Sequence, residues 1–189
     1  MTVPGRIEIF MGCMFSGKTS ELMRQARRLQ CISRRVLFIN HAIDRRYDVE
    51  GRQDQVFSHD GVSFPCLNVA ALSDVQDADL QGVDAVFVNE GQFFADLVGS
   101  VLRWCEHLGK DVYVGGLDGD LRRERFGQML DLVPLADAVH KLHAFCFRCG
   151  DGTLAPFTHR VSGGAGQVEV GVENYVALCR RHFCEALAL

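Results

Sequence analysis

Gly12-Cys13-Met14-Phe15-Ser16-Gly17-Lys18-Thr19 follows the pattern G-x-x-x-x-G-K-[ST], a glycine loop closed by a cation and a hydroxyl. Such a run is suited to gripping a polyphosphate. The backbone N–H groups from Gly12 to Gly17 can wrap the anion where a helix begins, and the glycines permit the close approach. Lys18 would neutralise the β and γ phosphates, while Thr19 would offer its hydroxyl to Mg²⁺. A bound nucleoside triphosphate is the expectation.

A second chemical group lies in "VFVNEGQFF", where Asn89 and then Glu90 follow an apolar run. A carboxylate at the end of such a strand can orient a water, as in an NTPase, or accept a proton from a substrate hydroxyl, as in a kinase. Asn89 can accept a hydrogen bond from metal-bound water but carries no charge. A third group is "CFRC" (Cys146, Cys149) with "CRRHFC" (Cys179, His182, Cys184). Two short chelating pairs can close one tetrahedral Zn²⁺ site, and four protein ligands make such a site structural. Spacing alone leaves His182 and Cys184 as alternative fourth ligands.

These groups need a scaffold to hold them together. Residues 6–10, 35–40, 84–89 and 111–117 are short, apolar and rich in β-branched residues, as expected of strands covered on both faces. Leu22, Met23, Ala26 and Leu29 recur at helical spacing after the glycine loop, and Leu97, Val101, Trp104, Cys105 and Leu108 do so before Gly109. Strands alternating with helices predict an α/β fold, a parallel sheet with helices on both faces. After about residue 145 cysteines, glycines and short alternating runs take over. The predicted organisation is a nucleotide-binding domain over 1–145 and a small zinc-held domain over 146–189.

Bulk composition narrows the partners. The chain has 189 residues, 48% of them apolar, enough for one domain with its own core and a small appendage. A net charge of -4 argues against general attraction to nucleic acid. No run of about 18 apolar residues and no leader-like start is present, so the reading is a cytoplasmic protein with no membrane partner. Of the eight cysteines, four are scattered singly, which favours reduced thiols and a metal over disulfides.

Taken together, "GCMFSGKTSELMR", "NEGQFFADLV", "GLDGDLRRERFGQMLDLVPLADAVHKL" and "VENYVALCRRH" resemble the type II thymidine kinases over nearly the whole chain. The resemblance implies transfer of the γ-phosphoryl group of ATP to the 5'-hydroxyl of thymidine, usually by a homotetramer restrained by thymidine triphosphate. It implies Glu90 as general base, Asp44 and Arg46 of "AIDRRY" near the phosphates, and Cys146, Cys149, Cys179 and His182 as zinc ligands. The thymine pocket maps onto Met14, Phe93, Leu117, Leu121, Phe126, Val170, Gly171 and Tyr175, under a zinc-held lasso that includes "FTHR" and "VENY". Phe94 is assigned to the core. The segment "GLDGDLRRERFG" follows a strand end and resembles the family segment bordering nucleoside and phosphate, with Arg123 as its basic residue of interest.

Three departures from the family pattern stand out: Asn89 where an aspartate is usual, which weakens the expected hold on Mg²⁺, Leu121 where some members have an aromatic, and Val170-Gly171 where a glycine pair is common. The competing readings are a kinase for another deoxynucleoside and a regulatory nucleotide-binding module without catalysis.

Overall fold

The computed structural model describes residues 2–44, 54–58, 61–161 and 174–187. Strand β1 (Ile7–Gly12) runs into the glycine loop and helix α1 (Lys18–Cys31), followed by β2 (Val36–His41). A small hairpin of β3 (Gln55–Phe57) and β4 (Ser63–Pro65) precedes β5 (Leu67–Val69) and β6 (Ala85–Val88). Helix α2 (Leu97–Leu102) continues as a wider π-helical turn through Arg103–His107 before β7 (Asp111–Gly116) and β8 (Ala138–Leu142).

Six strands form one sheet in the order β5-β2-β6-β7-β1-β8, every adjacent pair parallel. The four strands expected from the sequence are its interior. Edge strands β5 and β8 escaped the apolar pattern because β5 is three residues long and β8 carries exposed Val139, His140 and Lys141.

Alternation along the strands divides the core between the two faces of the sheet. Ile7, Ile9 and Met11 of β1, Val86 and Val88 of β6, and Val112 and Val114 of β7 meet Leu97, Val101 and Trp104 on one side. Phe10, Ala85 and Phe87 face the other side, where α1 lays down Leu22, Met23 and Ala26. There Phe87 is stacked between Phe38 (5.8 Å) and Tyr113 (4.5 Å), each within 6° of parallel.

The C-terminal part is built from two small antiparallel pairs: β9 (Ala144–Phe145) with β10 (Leu154–Ala155), and β11 (Phe157–Arg160) with β12 (Tyr175–Leu178). Helix α3 (Arg180–Leu187) closes it over Phe183. Cys13 of the glycine loop belongs to this same cluster. Among the described residues, no helix is long and apolar enough to cross a membrane.

Phe87 has no solvent exposure. Phe87→Ala should cost about 3–5 kcal/mol, measured as a lower urea midpoint at unchanged slope.

Candidate active site

Parallel pairing puts the C-terminal ends of β1, β2, β6 and β7 at one edge of the sheet, where the glycine loop, His41, Asn89 and Glu90 follow or end those strands. At the end of β1, Gly12 leaves no room for a side chain, since a Cβ would stand 2.2 Å from the Leu142 carbonyl oxygen. Gly17 takes the left-handed conformation (φ 83°) that swings the chain into α1. Between them the loop is tied to itself: Ser16 Oγ donates to the Cys13 carbonyl at 2.8 Å, and Lys18 Nζ donates to the same oxygen at 2.7 Å. Burial pushes the Cys13 thiol up, so it remains neutral, and Sγ donates to the Ala155 carbonyl at 3.1 Å.

The loop is also held from outside. The Met14 amide donates to Thr158 Oγ1 of "FTHR" at 3.0 Å, so the C-terminal unit touches the phosphate loop directly. Thr158 was legible only as part of a segment expected over the nucleoside.

Beyond the end of β6 the chain turns sharply at Glu90, a non-glycine residue at φ 55°. Such a conformation is sparsely populated and persists only where the surroundings hold it. Gln92, buried at 3% exposure, provides one such hold. Its Nε2 donates to Glu90 Oε2 at 2.6 Å, while its Oε1 accepts from the Leu117 amide just past β7 at 2.9 Å. The carboxylate is thus tethered across two strand ends. Sequence reasoning passed over Gln92, although it lies inside the quoted motif.

Thr19 Oγ1 donates to Asn89 Oδ1 at 3.1 Å, joining the first turn of α1 to the end of β6. Asn89 therefore sits beside the Thr19 hydroxyl at the start of α1. At the end of β2, His41 lies with its ring 4.6 Å from Phe94 and 5.6 Å from Phe93. Desolvation lowers its pKa against the pull of Glu90 and Asp44, so the imidazole is neutral at pH 7. His41 was not foreseen, because no motif marks it.

Of the pocket residues, Phe93 and Phe126 meet edge to face at 5.6 Å, and both are half-buried, as are Met14, Leu117 and Leu121. Phe94 is fully buried in the core. Tyr175 is buried, with its Oη accepting from Arg160 Nη2 at 3.1 Å. Arg46, Val170, Gly171 and His59 lie outside the described residues. Arg123, at φ 65°, places its guanidinium over the Phe183 ring (5.0 Å) and the Phe157 ring (5.7 Å). Its contact is with the C-terminal unit, which it ties to the loop after β7 by cation–π attraction.

Cys146, Cys149, Cys179 and His182 converge, their ligand atoms all within 4.8 Å of one another. Cys184 is exposed and outside this group, so His182 is the residue that faces the three thiols. His182 Nδ1 is 3.4 Å from Cys146 Sγ, 3.4 Å from Cys149 Sγ and 3.5 Å from Cys179 Sγ, and Cys149 and Cys179 are 3.8 Å apart. Tetrahedral zinc bonds require edges of about 3.8 Å between sulfurs and about 3.5 Å from sulfur to nitrogen. The donor set fits zinc. Burial opposes ionisation of Cys146, but the Cys179 amide on its Sγ (3.2 Å) and the neighbouring His182 and Cys149 outweigh it and lower the pKa.

Elemental analysis of purified protein should give about one zinc per chain, and Cys149→Ser should lose that zinc and lower Tm by about 6–12 °C. A zinc-free protein of unchanged Tm would contradict the fit.

Residues 5–183 match the family model described as "Thymidine kinase". The cytosolic thymidine kinase of Gallus gallus is 40% identical over 181 residues, covering 93% of this chain and 75% of that protein. The thymidine kinase of Oryza sativa subsp. japonica is 38% identical over 188 residues, covering 96% and 67%. That of Bacteroides thetaiotaomicron is 38% identical over 183 residues, covering 96% and 88%. With a phosphate loop, a tethered strand-end carboxylate and a Cys₃His cluster in one chain, and a match over nearly its full length, this protein belongs to the thymidine kinase family.

Proposed function

We propose that this protein transfers the γ-phosphoryl group of ATP to the 5'-hydroxyl of thymidine. The observation that carries the reading is the join between phosphate loop and acid: Thr19 of the loop bonds Asn89, and Glu90 follows directly, held by Gln92. A nucleotide phosphate on the loop amides and an alcohol beside Glu90 would then meet at one edge of the sheet. The printed names of the relatives give the alcohol its identity.

In this reading the amides from Gly12 to Gly17 surround the phosphates and Lys18 leaves the Cys13 carbonyl to meet the β and γ oxygens. Thr19 would offer its hydroxyl to Mg²⁺, Asn89 would accept a hydrogen bond from metal-bound water, and Asp44 and Arg46 are assigned to the phosphates, Asp44 also as a group that would help hold the metal. Bound Mg²⁺ supplies charge neutralisation on the β and γ oxygens. The 5'-oxygen forms its bond to the γ phosphorus as the bridge to the β phosphate breaks, and Glu90 takes the hydroxyl proton. ADP and thymidine monophosphate result.

Met14, Phe93, Leu117, Leu121 and Phe126 supply half-buried apolar surface at the strand ends, suited to one face of a planar base. Tyr175, Val170 and Gly171 are assigned to the lid. We read 146–189 as the zinc-held unit closing over the nucleoside; the Thr158 to Met14 bond supports its reach to the loop. A homotetramer restrained by thymidine triphosphate, in the cytoplasm, completes the proposal. Edge strand β8 with exposed Val139, and nearby exposed Leu130, Val133 and Leu135, offer surface for subunit contact.

Radiolabelled ATP offered with thymidine, deoxyuridine, deoxycytidine and deoxyguanosine in parallel should label thymidine most strongly. Label on the last two alone would overturn the substrate assignment. Glu90→Gln should lower kcat about 10²–10⁴-fold while ATP affinity holds, measured by steady-state turnover beside equilibrium nucleotide binding.

A further inference from the structure

Asn89 does not act alone. It accepts from Thr19 Oγ1 through Oδ1, which leaves its amide nitrogen to face the other way, where Nδ2 donates to Asn40 Oδ1 at 2.9 Å. Asn40, in β2, in turn donates through Nδ2 to Asn68 Oδ1 of β5 at 3.1 Å. Asn40 and Asn89 are each only 2% exposed. Asn68 lies against Cys66, whose thiol desolvation pushes up to about 12, so the chain of groups ends in a neutral partner.

The direction of these bonds matters for the metal-facing hydroxyl. While Asn89 Oδ1 takes the Thr19 proton, the threonine oxygen keeps its lone pairs for a cation. With the amide reversed, Nδ2 would occupy a lone pair and the hydroxyl proton would be turned outwards, towards the ion. Asn40 selects the first arrangement because its Oδ1 can only accept. A buried carboxylate in place of Asn89 would either confront the Asn40 oxygen or force the Asn40 amide to turn and lose its bond to Asn68, a costly arrangement.

We propose that Asn40 is a positioning residue that orients Asn89, and through it Thr19, and that Asn40 and Asn89 form a matched neutral pair in which neither position accepts a charge by itself. This rests on the reading of Thr19 as the metal-facing hydroxyl. It also gives Asn89, the departure from the usual aspartate, a structural counterpart on the neighbouring strand β2, three strands from the β1 end that carries the phosphate loop.

The test has two arms, both on the full zinc-loaded chain. In the first, Tm is measured for Asn89→Asp, Asn40→Lys and the double variant after dialysis into buffer that contains neither Mg²⁺ nor a chelator, so that zinc stays bound. Each single change should lower Tm by about 4–8 °C and the double should return to within about 2 °C of the parent. Losses that simply add in the double overturn the pairing. Should both single variants be insoluble, a soluble double supports it and an insoluble double sinks it. The second arm titrates Mg²⁺ against binding of a fluorescent (mant) ATP. Asn40→Leu should need about 3–10-fold more Mg²⁺ for half-saturation, with metal-free binding of the probe unchanged; an unaltered Mg²⁺ demand refutes the positioning role. A parent protein that binds the probe with Mg²⁺ yet phosphorylates nothing would end the kinase reading alone, since the Tm arm judges the pair without any reaction.

Discussion

The register of the central parallel strands is the constraint from which the site follows. Met11 of β1 lies opposite Gly116 of β7, and Val88 of β6 opposite Val114, so the residues that leave these strands emerge at one edge within a few ångströms of sheet spacing. A slip by one residue would exchange Val86 and Val88 with Phe87 between the two core faces. It would also carry Glu90 and the glycine loop out of alignment. Hydrophobic burial on both faces therefore fixes where the chemistry sits, long before any substrate contributes.

The phosphate loop is held by more than its own glycines. Its Cys13 thiol packs into the C-terminal cluster and bonds the Ala155 carbonyl, and its Met14 amide bonds Thr158. From the other direction Arg123 reaches out of the loop after β7 onto Phe157 and Phe183. The Cys₃His cluster lies in the same small unit, whose strands are two or four residues long, and a bound metal would staple the segment before β10 to the one after β12. Metal binding, unit folding and the shape of the phosphate loop are thus connected through named contacts.

Polar order at the strand ends is carried by amides. Gln92 bridges Glu90 to Leu117, while Asn89, Asn40 and Asn68 link the Thr19 hydroxyl to the far side of the sheet. Amides both donate and accept, so each can pass a direction from one neighbour to the next without bringing an uncompensated charge into the interior. At this edge Glu90 Oε2 accepts from a neutral donor, Gln92 Nε2.

Much of this was legible in the chain. The glycine loop, the acid after the third apolar run and the two chelating pairs are local patterns, because each depends on residues a few positions apart. The four interior strands announced themselves through continuous apolar runs. Edge strands β5 and β8 did not, being short or exposed, and the small antiparallel pairs of the C-terminal unit have too few residues for a period to show. The family resemblance favoured His182 over Cys184, and the Cys₃His cluster contains it, whereas the stacking of Arg123 on Phe183 and the roles of Asn40, His41, Gln92 and Thr158 came only with the fold. Sequence determined which chemical groups exist and their local conformational preferences. Tertiary structure decided which of them touch, since contact between residues as distant as Asn40 and Asn89 depends on strand order and register, which no short-range pattern encodes.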